Sequence, residues 1–195
     1  MRAAATWAII TTRVSKERRG LLIAACACGL VAYLQRYDDA SARLSGCLLF
    51  AALAGVVAAL LQRGAGRFRQ IELCEQSAPL YGRELARAIA VVPFTVVTIA
   101  LAAYWSVAQA YSHVRTEEVL LSAFGAYAGA LVALPAAVRK GAARALYVVA
   151  ACAVPLLCFL TSEKAPVLLP CLLCTLFGFV ALRQYGEALA RYDPL

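Results

Sequence analysis

The chain has 195 residues, of which 63% are hydrophobic and 15% are charged, and it carries a formal net charge of +8. Soluble domains average about 45–50% apolar and about 25% charged residues, so this composition excludes an ordinary soluble domain. The positive charge stands in short clusters between apolar runs, which argues against a nucleic-acid-binding face and favours a membrane protein.

The N-terminal segment, residues 1–19, is predicted to form an amphipathic helix that lies on the membrane surface. Trp7, Ile10 and Val14 recur at helical spacing on its apolar side. Four basic residues are expected to meet lipid phosphates: Arg13, Lys16, Arg18 and Arg19. Tryptophan beside isoleucine, ahead of a basic cluster, is typical of an interfacial anchor.

Six apolar runs follow, and each predicts a transmembrane helix. They cover residues 20–33, 44–61, 89–108, 119–138, 145–160 and 167–182. Crossing the hydrocarbon core takes about 20 helical residues, with a range of about 17–25, so the first, fifth and sixth spans must extend into their flanks. The prediction is one all-α membrane domain over residues 1–195, with two spans in 20–61, a polar segment in 62–88, four spans in 89–182 and a tail in 183–195.

Aromatic residues near the ends of these runs predict an interfacial belt. They are Tyr33, Tyr37, Tyr104, Trp105, Tyr111, Tyr147 and Tyr185.

The distribution of Lys and Arg predicts the orientation. Basic residues concentrate before span one, between spans two and three, between spans four and five, and after span six, whereas the alternate loops are poorer in them. The positive-inside rule therefore places both termini in the cytoplasm of a multi-pass protein of the plasma or inner membrane.

Chemistry-bearing motifs are missing from the sequence. It has no G-x-S-x-G, H-E-x-x-H or phosphate-binding loop, and no Asp, Glu, Lys, Arg or His lies within the six runs, which argues against an enzyme or a self-powered transporter. Cys171 and Cys174 have a metal-ligand spacing, but the only histidine is His113, so no metal site is expected. Glu117 and Glu118, beside His113, are expected to be solvated charges that flank span four.

Span four carries a small-residue face built on Gly125 and Gly129. Such a G-x-x-x-G pair lets two helices approach closely. Packing within the chain is the favoured interpretation, and a seam between chains is the alternative.

The polar segment 62–88 is the longest interruption in the apolar pattern. Residues 67–76 predict a short helix whose apolar side includes Phe68 and Ile71. Ser77 is placed to cap the next helix, with Pro79 in its first turn, and that helix runs into span three.

This arrangement resembles the membrane subunit of a type-two ABC transporter. The resemblance consists of six spans, cytoplasmic termini, an N-terminal amphipathic helix and a short coupling helix between spans two and three. The family often has an Ala-Pro pair after the coupling helix, as Ala78-Pro79 stands here. The segment between spans five and six, residues 161–166, is shorter than is usual in that family.

The resemblance implies a division of labour between subunits. ATP and Mg²⁺ would be held by a separate cytoplasmic ATPase that presses on a coupling surface made of Arg69, Glu72, Glu75 and Gln76. A second permease copy, identical or homologous, would complete an export pathway for an unidentified, lipophilic substrate through the lipid bilayer. This chain itself would hold no cofactor and bind no nucleic acid. The alternative is a non-transporting accessory or scaffold subunit of a larger membrane complex.

Overall fold

The computed structural model describes residues 2–61, 82–139, 141–162 and 164–190. These residues form seven helices and no strand. The helices are α1 (Arg2–Lys16), α2 (Arg18–Leu34), α3 (Ala40–Leu61), α4 (Gly82–Gln109), α5 (Thr116–Val138), α6 (Gly141–Ser162) and α7 (Leu168–Ala190).

Five of these helices, α3 to α7, are long and apolar enough to cross a bilayer. In α4 the apolar stretch covers Ala86–Gln109. Helices satisfy their own backbone hydrogen bonds, which is the condition for crossing lipid. The chain is therefore an all-helical, multi-pass membrane protein. With 17 residues, α2 is shorter than these five.

Helices α4 and α5 form the centre of the bundle. Helix α5 packs against α3, α6 and α7, while α4 packs against α1, α2, α3 and α7. Of the apolar stretch of α5, 67% is buried, compared with 22% for α6 and 28% for α7. The last two helices therefore turn most of their apolar surface outward, where lipid or a partner helix must cover it.

Small residues allow the central helices to approach closely. A Cβ atom built on Gly55 of α3 would lie 2.5 Å from Val97 Cγ2 on α4 and 2.8 Å from Ala130 Cβ on α5. Such distances leave no room for a side chain, so Gly55 marks the point where α3 crosses both central helices.

The connection between α5 and α6 is short and depends on a glycine. Gly141 has a φ of 63°, a left-handed conformation that glycine adopts without the steric cost of a Cβ atom. This turn reverses the chain after Val138 and sets α6 antiparallel against α5.

One side of helix α1 packs against the bundle, a contact that the sequence did not predict. From residue 6 onward, where its side chains are described, the buried residues are Ile9 and Arg13, at 9% and 3% exposure, whereas Trp7 is 66% exposed. The i, i+4 spacing of Ile9 and Arg13 puts both on the side that packs against α4. The expectation that Arg13 meets lipid phosphates is therefore wrong.

The predicted aromatic belt is also wrong for three of its members. Tyr104, Trp105 and Tyr185 are at most 7% exposed, so their rings lie inside the bundle. Tyr33, Tyr37 and Tyr111 remain on the surface, with 44% to 86% exposure. Position along the helix, which the sequence supplies, does not decide the direction in which a ring points.

Candidate functional site

A cluster of buried polar side chains lies at one end of the bundle, where α2 connects to α3 and α4 connects to α5. Tyr104 of α4 stands at its centre and is fully buried. Polar groups are costly inside a membrane bundle and mark functional positions more often than apolar ones do. We therefore treat this cluster as the candidate site.

Tyr104 joins three segments of the chain through its hydroxyl group. The hydroxyl oxygen lies 2.8 Å from the side-chain oxygen of Gln35 and 2.8 Å from the backbone carbonyl oxygen of Arg43, and either can accept its proton. The Gln35 side-chain nitrogen donates in turn to the carbonyl oxygen of Ala42, at 3.0 Å. These bonds fix the end of α2 and the first turn of α3 against α4.

Trp105, the next residue along α4, makes a second connection. Its indole N–H donates to the hydroxyl oxygen of Ser122 on α5, at 3.0 Å, and the Ser122 hydroxyl donates to the carbonyl oxygen of Val119 at 2.9 Å. The rings of Tyr104 and Trp105 meet edge to face, with centroids 5.0 Å apart. Consecutive residues of α4 therefore bind different neighbours. Tyr104 bonds to the α2–α3 connection, and Trp105 bonds to helix α5.

Two charged groups of the cluster carry atoms that lack a partner. Glu118 is 6% exposed, and neither its Oε2 nor Nε of Arg43 has a hydrogen-bond partner within the described part of the chain. Arg43 belongs to the cluster because its carbonyl oxygen accepts from Tyr104, and Glu118 lies one helical turn before Ser122 on α5. The cluster thus offers one acceptor and one donor to water or to a polar ligand group, and unpaired buried polar atoms of this kind favour such a ligand.

The burial of Glu118 corrects the expectation that Glu117 and Glu118 are both solvated. Glu117 is exposed, as expected, and so is His113, but Glu118 faces the bundle. Residues 118, 122, 125 and 129 follow each other by four, three and four positions, which is one face of a helix. The Gly125–Gly129 face had already been identified in the sequence, so extending it back by two turns would have placed Glu118 inside.

Gly125 and Gly129 contact other helices of the same chain. A Cβ atom on Gly125 would lie 2.5 Å from Leu48 Cδ2 of α3 and 3.5 Å from Cys158 of α6. On Gly129 it would lie 3.0 Å from the carbonyl oxygen of Ala151 and 3.0 Å from Pro155 Cγ, both on α6. This face is therefore filled by α3 and α6 in the folded chain.

The residues of the predicted coupling surface, Arg69, Glu72, Glu75 and Gln76, lie outside the described residues. Helix α4 begins at Gly82, six residues after Gln76.

The described residues contain no candidate metal site, because no three His, Cys, Asp or Glu side chains come together among them. Cys158 and Cys174 are both buried, at 2% and 3% exposure, and the Cys158 thiol contacts the carbonyl oxygen of Leu121 at 3.6 Å. These thiols fill space between α5, α6 and α7 as small apolar side chains do.

Comparison with known proteins yields no relative. No family model, no curated protein and no solved structure matches this chain.

Proposed function

We propose that the chain crosses the membrane six times, with α2 as the first span and both termini in the cytoplasm. The 17 residues of α2 give a length of about 26 Å at the helical rise of about 1.5 Å per residue, which is near the lower limit for a span. Leu22, Ile23 and Leu30 of α2 are 58% to 69% exposed, as expected for a lipid-facing side. Ala24, Cys28 and Ala32 are buried on the opposite side.

On this topology the chain acts as the permease subunit of an ATP-driven transporter, an exporter in the plasma or inner membrane. The observation that carries the proposal is the position of α4. It begins at Gly82, inside the polar segment 62–88, and continues past Tyr104, which is hydrogen-bonded to the α2–α3 connection. A single helix thus links the segment available to a cytoplasmic partner with the polar cluster at the other end of the bundle.

The mechanism follows from that connection. A partner ATPase, holding ATP and Mg²⁺, would close and push on the surface of Arg69, Glu72, Glu75 and Gln76. The push would displace α4 along its axis, and the displacement would reach the Tyr104 cluster about 33 Å away, since 22 residues separate Gly82 from Tyr104. A second permease copy would complete the pathway, and loosening of the cluster would open its outer end.

Co-purification tests this function. The double variant Glu72→Lys/Glu75→Lys should lose a phosphate-loop ATPase that accompanies the wild-type chain from native membranes. Glu117→Lys, an exposed residue at the opposite end of the bundle, is the matched control and should retain it. If no ATPase accompanies the wild-type chain, or if the double variant retains it, the permease function is refuted.

A second candidate is a non-transporting accessory subunit of a larger membrane complex. The outward-facing apolar sides of α6 and α7 favour it, because large residues such as Leu146, Leu172 and Phe179 are 66% to 68% exposed. Polar substitutions there, Leu146→Gln and Leu172→Gln, would release a partner subunit if the scaffold function is correct. A stable homodimer with ATPase activity stimulated by substrate would exclude it.

A further inference from the structure

A cavity that combines two arginines with apolar side chains lies between α4 and α7. Its volume is about 320 Å³, and its described lining consists of Arg87, Phe179, Leu182 and Arg183. Ligand pockets in proteins are about 300–1,000 Å³, so the cavity is large enough to hold a small polar group.

The two arginines lie near the same end of the bundle. Arg87 is in the second turn of α4, which begins at Gly82, and Arg183 is two turns before the end of α7 at Ala190. In the six-span topology this is the cytoplasmic end. Long basic side chains at such a depth reach the interface between lipid tails and headgroups.

Arg183 is already oriented by a neighbour. Its Nε donates to Glu187 Oε1, at 3.0 Å, one turn further along α7. This bond uses only the Nε–H group, so the terminal nitrogens of the guanidinium remain as donors. The Glu187 carboxylate offsets the positive charge of Arg183, and the positive charge of Arg87 remains to attract an anion.

The apolar side chains of the lining favour a lipid over a free anion as the ligand of this cavity. Phe179 is 66% exposed and lies one helical turn before Leu182 and Arg183, on the side of α7 that points out of the bundle. An anion from water needs no such surface, whereas a phospholipid has acyl chains that must be covered by apolar groups.

We propose that this cavity binds the phosphate headgroup of an anionic phospholipid through Arg87 and Arg183, with an acyl chain against Phe179 and Leu182. The site goes beyond the permease function and does not rest on it, since any multi-pass protein could use it. It requires only that the chain be embedded in lipid.

Native mass spectrometry of the full chain in non-ionic detergent tests the site. The protein is offered phosphatidylglycerol and phosphatidylcholine with matched acyl chains in equal amounts. We expect the wild type to retain phosphatidylglycerol preferentially, and each neutralised arginine to weaken that preference about fivefold, the attraction of one basic side chain for an anionic headgroup. The variants are Arg87→Gln, Arg183→Gln and the pair.

Two controls separate the loss of charge from the loss of fold. Arg144→Gln removes an arginine at the same end of the bundle, near the start of α6, outside the described cavity lining, and should keep the preference. The double variant Arg87→Lys/Arg183→Lys should keep most of it, because an ammonium group still attracts phosphate.

Three results would overturn the proposal. They are equal retention of both lipids by the wild type, an unchanged preference in the Gln pair, and an equal loss in Arg144→Gln. Displacement of phosphatidylglycerol by millimolar inorganic phosphate would show a free-anion site instead of a lipid site. None of these measurements involves an ATPase, so the lipid site and the permease function can fail separately.

Discussion

The hydroxyl of Tyr104 and the side-chain oxygen of Gln35 lie 2.8 Å apart, although 69 residues separate them in the sequence. One belongs to the central helix α4 and the other to the end of α2. The contact fixes the α2–α3 connection to the core of the bundle, and the stability of that end of the molecule should depend on it.

Replacing Tyr104 by Phe tests this contact. The variant leaves the Gln35 and Arg43 carbonyl oxygens without their donor, and we expect it to lower the free energy of unfolding by about 1–2 kcal/mol. Thermal unfolding in detergent micelles, followed by circular dichroism, measures the change. Tyr111→Phe is the control, because Tyr111 is 54% exposed. Equal stability of the two variants would show that the buried hydroxyl contributes nothing.

Gly46 should protect the same contact. A Cβ atom at this position would collide with the side-chain amide of Gln35, so Gly46→Ala must displace Gln35 from Tyr104. The cost should approach that of Tyr104→Phe, about 1–2 kcal/mol. In the double variant Gly46→Ala/Tyr104→Phe the two costs should not add, since both remove one interaction. Strict additivity of the two costs in a double-mutant cycle would show that the two substitutions do not disrupt the same hydrogen bond between Tyr104 and Gln35.

Gly55 should be the glycine least tolerant of a side chain among the crossings described. Gly55→Ala places a methyl group 2.5 Å from Val97 Cγ2 and 2.8 Å from Ala130 Cβ, and overpacking of this kind costs about 1–3 kcal/mol. The matched control is Gly29→Ala, whose new methyl group would lie 3.7 Å from Val107 Cγ2, an ordinary van der Waals distance. Unfolding midpoints of the two variants give the comparison. A tolerated Gly55→Ala would mean that α3 does not cross α4 and α5 at this distance.

Replacing Glu118 by Gln should stabilise the protein, whereas the substitutions at Tyr104, Gly46 and Gly55 should destabilise it. Its carboxyl group is buried with an unpartnered oxygen, so Glu118→Gln should raise the free energy of unfolding at neutral pH by about 1 kcal/mol, by removing a buried charge. Glu117→Gln, at an exposed position, should change it little. A destabilised Glu118→Gln variant would instead indicate that the carboxylate is paired, with Arg43 or with a bound ligand.

Cysteine labelling tests which faces of α2 and α6 point outward. Cys26 and Cys152 are exposed, whereas Cys28 and Cys47 are buried. In single-cysteine variants in micelles, a membrane-permeant maleimide should modify Cys26 at least about tenfold faster than Cys28, because a buried thiol reacts only after local opening. Cys152 should behave like Cys26, and Cys47 like Cys28. Similar rates for Cys26 and Cys28 would contradict the packing of α2 on α4.

The sequence predicted the positions of the apolar helices well and their orientation about their own axes poorly. Five of the six apolar runs lie within one helix each, and the sixth, 167–182, starts one residue before α7. The helices extend beyond the runs by up to eight residues, the largest extension being from 182 to the end of α7 at Ala190. Burial within a helix was harder to foresee. Glu118 and Tyr104 both lie near span ends, where solvated or interfacial positions are the usual outcome, yet both face the interior.

What the sequence alone determined is that this chain is a helical, multi-pass membrane protein. A bilayer requires stretches of about 20 apolar residues whose backbone hydrogen bonds are made within the segment. The composition of the sequence shows where such stretches lie. Which side of each helix faces its neighbours was decided only by the tertiary structure. Helices α3 and α5 are apolar over most of their surface, so hydrophobicity alone does not separate the side facing the core from the side facing lipid. The close approach of Gly55 on α3 to Ala130 on α5 fixes how these two helices are rotated against each other.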